Sequence, residues 1–124
     1  MAMHHSERFL AIVDSAKSRV REISPSELKK KIEKGESFAL IDVREASEFE
    51  AGRLPGAQHL CKGIIERDIE KAVPDTGTEI VLYCGGGFRS ALAADNLQKM
   101  GYTRVLSLAE GWRGWTEANF PIEK

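Results

Sequence analysis

Cysteine is nearly absent from this chain: Cys61 and Cys84 are the two thiols in 124 residues. That excludes a disulfide framework and a zinc site built from four cysteines. Long apolar runs are missing too. No stretch approaches the ~20 apolar residues that span a bilayer. The most apolar piece near the N-terminus, Phe9-Leu10-Ala11-Ile12-Val13, is too short for a signal-peptide core and runs into Asp14 and Lys17. Net charge is also lacking, since 18 Lys and Arg face 19 Asp and Glu, for a formal charge of -1. A near-neutral balance argues against nucleic-acid binding through a broad basic face. Internal repeats and low-complexity tracts are absent, and His4 and His5 are too few to identify a tag remnant. Together these absences lead us to expect a cytoplasmic protein with free thiols and neither a membrane nor a nucleic-acid partner.

What is present suits one globular domain. Hydrophobic residues make up 42% and charged residues 30%, which excludes a disordered or collagenous chain. From about residue 20 onward, short apolar runs alternate with helical patterns. Val20 to Ile23 reads as a short strand. Ser24-Pro25-Ser26-Glu27 has the form of a capping box with proline at the first helical position, and Gly35 ends that helix. Phe38 to Ile41 is a buried strand ending at Asp42. Ala46 to Ala51 is a short helix ended by Gly52, and Ala57 to Leu60 a brief extended piece after a Leu54-Pro55-Gly56 turn. Ile64 to Ala72 is helical, Ile80 to Tyr83 a strand, Ser90 to Met100 a helix ended by Gly101, Val105-Leu106 a strand and Glu110 to Ala118 a last helix. This alternation predicts an α/β fold: an open, mostly parallel sheet of about five strands with helices on both faces. Residues 1–19 form an N-terminal helical extension, with Phe9, Ile12, Val13 and Ala16 on one face, ahead of a domain over residues 20–124.

The segment Ile-Val-Leu-Tyr-Cys-Gly-Gly-Gly-Phe-Arg-Ser, residues 80–90, is the most informative. A strand runs straight into Cys84, and sites in open parallel sheets form at the carboxyl ends of strands. Gly85, Gly86 and Gly87 let the backbone bend so that the amides from Gly85 through Phe88 and Arg89 to Ser90 converge on the Cys84 sulfur, at the N-terminus of the next helix. Arg89 adds a positive charge. All three features favour thiolate over thiol and make Cys84 a candidate nucleophile. The alternative is an inert buried cysteine before a glycine-rich turn.

At this point the chain resembles the rhodanese family. Cys-x4-Arg-Ser after a strand resembles its six-residue active-site loop, Tyr-Cys-x-x-Gly-x-Arg-Ser, with Gly87 at the internal glycine. Asp42-Val43-Arg44-Glu45 resembles the family's Asp-Val-Arg segment. Gly52 to Ala57 resembles Gly-His-Ile-Pro-Gly-Ala, with Arg53 where histidine is usual. Leu108-Ala109-Glu110-Gly111-Trp112-x-x-Trp115 resembles Gly-Gly-Trp-x-x-Trp, with Glu110 in place of the first glycine. The resemblance covers about residues 20–122. It implies a sulfurtransferase: Cys84 takes the sulfane sulfur of a small anionic donor such as thiosulfate, carries it as a persulfide, and passes it to cyanide, a thiol or a protein acceptor. Such chemistry requires no metal or organic cofactor.

Several residues admit two readings. Arg89 binds the anionic donor, or it forms an ion pair with Asp42 or Glu45 that holds the loop. Arg44 recruits anions or serves as a scaffold ion pair. Cys61 is a resolving thiol or a small, partly buried bystander. His59 activates Cys84 or simply packs. Trp112 and Trp115 pack the last helix onto the sheet or wall the pocket. Two rival functions stand beside sulfur transfer: a persulfide carrier or interaction module serving a protein partner, and a cysteine-dependent phosphatase or arsenate reductase. The latter place five residues between cysteine and arginine, whereas Cys84 and Arg89 enclose four. Oligomeric state has no signature in the sequence.

Overall fold

The computed structural model describes residues 5–124; His4 and the first residues of the expected N-terminal extension lie outside the described residues. The elements follow in the order α1 (Glu7–Lys17), β1 (Arg21–Ile23), α2 (Pro25–Glu33), β2 (Ala39–Asp42), α3 (Ala46–Ala51), β3 (Gln58–His59), α4 (Ile65–Ala72), β4 (Ile80–Tyr83), α5 (Phe88–Lys99), β5 (Val105–Leu108) and α6 (Gly111–Glu117). The five strands form one sheet in the order β1-β5-β4-β2-β3, and every pairing is parallel. Parallel neighbours require crossover connections, and the intervening helices supply them.

Local chemistry explains the element ends. The Ser24 side chain accepts from the Glu27 amide at 3.1 Å, and the Glu27 carboxylate accepts from the Ser24 amide at 3.0 Å. These reciprocal bonds satisfy two otherwise orphaned donors at the start of α2. β4 shows the period of a central strand covered on both faces. Ile80 and Leu82 join one apolar cluster, while Val81 and Tyr83 join the other. The first cluster packs against Ile65 and Ile69 of α4 and Ala93, Ala94 and Leu97 of α5. The second packs against Leu28 of α2 and Trp115 of α6. Helices therefore cover both faces.

Beyond one-residue shifts at several element ends, three details differ from the sequence expectation. α5 begins at Phe88 rather than Ser90, because Gly87 turns the chain with φ +95° and serves as the N-cap. β5 extends to Leu108, carrying a fully buried Ser107. On α1, Val13 and Ala16 are buried but Ile12 is 56% exposed, so Ile12 lies outside the packed face. Among the described residues, no helix is long and apolar enough to cross a membrane.

Candidate active site

β4 is central, and Cys84 is the next residue along it. Cys84 sits at the carboxyl end of the sheet and is 1% exposed. The alternation that buries Ile80 and Leu82 turns the Cys84 side chain toward the α5 face. The loop after it folds back. The Gly87 amide donates to Sγ at 3.1 Å and the Ser90 amide at 3.4 Å. Ser90 Oγ lies 3.5 Å from Sγ and 2.8 Å from Ser107 Oγ. The expected convergence of all amides from Gly85 to Ser90 is thus reduced to two, joined by a chain of two buried hydroxyls. The α5 start explains the reduction: only residues at the turn of the loop and in the first helical turn face the sulfur. Ser107 escaped the sequence reading; a lone polar residue in an otherwise apolar strand was its only signal.

The carbonyl side of the loop is held by α6. The amides of Trp112 and Arg113 donate to the carbonyls of Cys84 and Gly85 at 2.8 and 3.0 Å. The helix start thereby finds partners for its free donors and locks the loop in place. Gly111 makes this approach feasible: it has φ +49°, and a Cβ there would fall 3.0 Å from the backbone carbons of Cys84 and Gly85. Gly87 is equally constrained, since a Cβ would sit 3.2 Å from the Glu110 nitrogen and 3.3 Å from the Leu108 oxygen. Glu110, where the resembling motif has glycine, adopts φ +61°.

The charged residues pair differently from the sequence expectation. Arg89 bonds neither Asp42 nor Glu45. Its Nη1 and Nη2 reach the Glu48 carboxylate at 2.9 and 3.3 Å. Glu48 occupies the third position of α3 and also accepts from the Glu45 amide at 3.0 Å. The Arg89 guanidinium holds the Glu48 carboxyl below its ordinary range. Asp42 is instead taken by Arg44, whose Nη2 and Nε lie 2.7 and 3.0 Å from its oxygens. Arg44 also donates to the Gly52 carbonyl at 2.6 Å and lies 4.7 Å from the Trp112 ring. Asp42 is too close in sequence to Arg44, and too deeply buried, to be free for Arg89. Arg44 is therefore scaffold. Glu45 contributes its amide to α3 and no bond to Arg89. Glu48 was missed in the sequence because it lies six residues beyond Asp42, on a helix whose facing could not be read.

The remaining candidates separate cleanly. His59 Nε2 lies 2.7 Å from the Arg44 carbonyl, and the ring stacks on Phe49 at 4.9 Å. Both cysteines are free, and Cys61 is half-buried. Trp115 is core, donating to the Pro121 carbonyl at 2.7 Å. Arg53 pairs along the backbone with Glu123 and donates to the Phe49 carbonyl at 3.2 Å. A pocket of about 320 Å³ opens above Cys84, lined by His5, Glu48, Gly85, Gly86, Phe88, Arg89 and Arg113. Its base offers a sulfur atom under hydrogen-bond donors that suit an anion.

Known proteins resemble the chain in sequence and in fold. A model of the Rhodanese-like domain matches residues 24–118. A sulfurtransferase of Allochromatium vinosum is 32% identical over 103 residues, covering 83% of this chain and 94% of that protein. A Bacillus subtilis protein provisionally named a sulfur carrier is 34% identical over 99 residues, 80% of this chain. The aligned segment is 52% of that relative, so the chain spans about half its length. In structure, a Rhodopseudomonas palustris protein of unknown function, suggested to be a tyrosine phosphatase, superposes with a TM-score of 0.83 at 28% identity, covering 99% of both chains.

Proposed function

The chain belongs to the rhodanese-like family, and on that premise we propose that it is a sulfurtransferase in which Cys84 carries the transferred sulfur. Its relatives support transferase chemistry on sulfur in general; the donor, the acceptor and the role of Cys84 are our reading. The carrying observation is the Cys84 sulfur held under the Gly87 and Ser90 amides at 3.1 and 3.4 Å. Donors fixed before reaction stabilise an anion without reorganising.

The Cys84 thiolate attacks the outer sulfur of thiosulfate. The donor's S–S bond breaks, sulfite leaves with the bonding pair, and Cys84 keeps a persulfide anion. A second nucleophile, a thiolate or cyanide, then takes the outer sulfur and restores the thiolate. Charge balances at each step, and no oxidant enters. The attacking thiolate and the persulfide are both anions, so the same amides and the Ser90–Ser107 hydroxyls serve both. Arg89 keeps its charge near the loop while Glu48 fixes its direction.

Intact mass after incubation with thiosulfate tests this. Wild type gains one sulfur atom and Cys84→Ser gains none; absence of any adduct with every sulfane donor tried sinks the reading. The phosphatase alternative, which the name of the Rhodopseudomonas palustris neighbour also brings forward, is opposed by the four-residue spacing between Cys84 and Arg89. Hydrolysis of an aryl phosphate that disappears in Cys84→Ala reverses that judgement.

A further inference from the structure

α1 precedes the segment that the family model matches, which starts at residue 24, and His5, two residues ahead of its start, lines the pocket over Cys84. Its attachment is built rather than incidental. Val13 and Ala16 are buried. Arg19, just beyond the helix, makes two bonds to Asp95 of α5, at 3.0 and 2.7 Å, and Gln98 of α5 donates to the Arg19 carbonyl at 3.0 Å. Ser6 caps the other end by accepting from the Phe9 amide at 3.3 Å. Anchored in this way, α1 holds His5, the residue ahead of its N-cap, against Phe88. The His5 ring meets Phe88 edge-on at 4.9 Å, and Phe9 lies 5.2 Å from His5 and 6.2 Å from Phe88. His5 and Phe88 both line the pocket, as do Arg113, Arg89 and the Glu48 carboxylate that Arg89 pairs with.

A pocket of about 320 Å³ exceeds what an inorganic anion fills, since a water molecule takes up about 30 Å³ of liquid. Rings together with two guanidinium groups, one of them paired with Glu48, suit a molecule with an apolar body and an anionic end. We propose that the His5–Phe88 wall selects the group attached to the transferred sulfur, with His5 as a specificity-determining residue for donors that carry an aromatic or apolar group. This rests on the sulfur-transfer reading of the same site. For a thiosulfonate donor, the Cys84 thiolate attacks the outer sulfur. The donor's S–S bond breaks, and the organic sulfinate departs with the electron pair along the wall.

The test compares benzenethiosulfonate with thiosulfate, reading persulfide formation on Cys84 by intact mass. Wild type prefers benzenethiosulfonate. His5→Ala and Phe9→Ala lower that preference ratio about fivefold, the scale of one lost ring contact. His5→Phe, which keeps the ring edge, restores it. A second readout does not depend on turnover: benzenesulfinate shifts the His5 ring resonances, and His5→Ala weakens its binding about fivefold, more than that of sulfite. If neither donor loads Cys84 but benzenesulfinate still binds through His5, sulfur transfer falls and the wall stands. An unchanged donor ratio in both alanine variants overturns the proposal. So does the absence of any benzenesulfinate-induced shift at His5, whatever the donors do.

Discussion

Asp42–Arg44 and Glu48–Arg89 are the same chemical pair in two settings. Asp42 is fully buried and Arg44 is 3% exposed. The Arg89 and Glu48 side chains are 33% and 37% exposed. The buried pair sits at the end of β2, closed over by Trp112 and bonded to the Gly52 carbonyl. The half-exposed pair borders the pocket and touches water. Burial makes a pair hard to break, because a lone charge left behind has no solvent to turn to. Exposure makes a pair weak and responsive, because water and salt compete with it. The protein thus places its rigid ion pair under the site and its adjustable one at the rim.

Breaking the buried pair gives the largest expected effect. Arg44→Ala strands the Asp42 carboxylate and destabilises the fold by about 3–5 kcal/mol, measured by chemical denaturation. A loss below about 1 kcal/mol would erase the distinction between the two pairs. Arg89→Ala comes next and acts on a different quantity. It lowers stability by only about 0.2–1 kcal/mol but slows sulfur uptake by Cys84 about tenfold or more, as loss of a positioned charge does. Thermal midpoint and the rate of persulfide formation, measured on one preparation, separate the two effects.

The third prediction uses acid. The Glu48 carboxyl is lowered from its ordinary value by the Arg89 guanidinium. Its folded-state value therefore lies below the unfolded one, near 4.3. The pair's contribution is fully present above that unfolded value and is lost as pH falls through the lowered one. The stability gap between wild type and Glu48→Gln stays constant from neutral to mildly acidic pH and closes only in stronger acid. A gap that already closes near pH 6 would sink this account. The smallest effect belongs to Glu110, a third carboxylate beside the loop, with no ion pair among the described residues. Its cost is geometric, at φ +61°. Glu110→Gly relieves that conformation and stabilises by about 0.5 kcal/mol, read as a small rise in thermal midpoint. This separates backbone strain from charge in the comparison.

Much of the architecture was legible along the chain. The capping box at Ser24, the helix over Ala46–Ala51 and the strand over Ile80–Tyr83 fall where the sequence places them. Each depends on residues within a few positions of one another, and local spacing carries that information. Cys84 with its glycines was legible for the same reason. The partners of Arg89 and Arg44 were not. Arg89 lies 41 positions from Glu48, and choosing among Asp42, Glu45 and Glu48 required knowing how α3 is turned against the loop. Ser107 and Gly111 reach the site from the neighbouring strand and the helix after it, and their contribution arises only when β5 and the start of α6 lie beside β4.

The sequence by itself determined that a strand ends in a cysteine, that glycines follow it, and that the fold alternates strands with helices. Those features follow from dihedral preference and apolar period, which act between neighbours. Tertiary structure alone decided which two amides face the sulfur, which carboxylate holds Arg89, and that His5, ahead of α1, lines the pocket. Arg89–Glu48 and His5–Phe88 join groups far apart in the chain, and the amides depend on how the loop turns; packing decides both by bringing some groups within reach and leaving others apart.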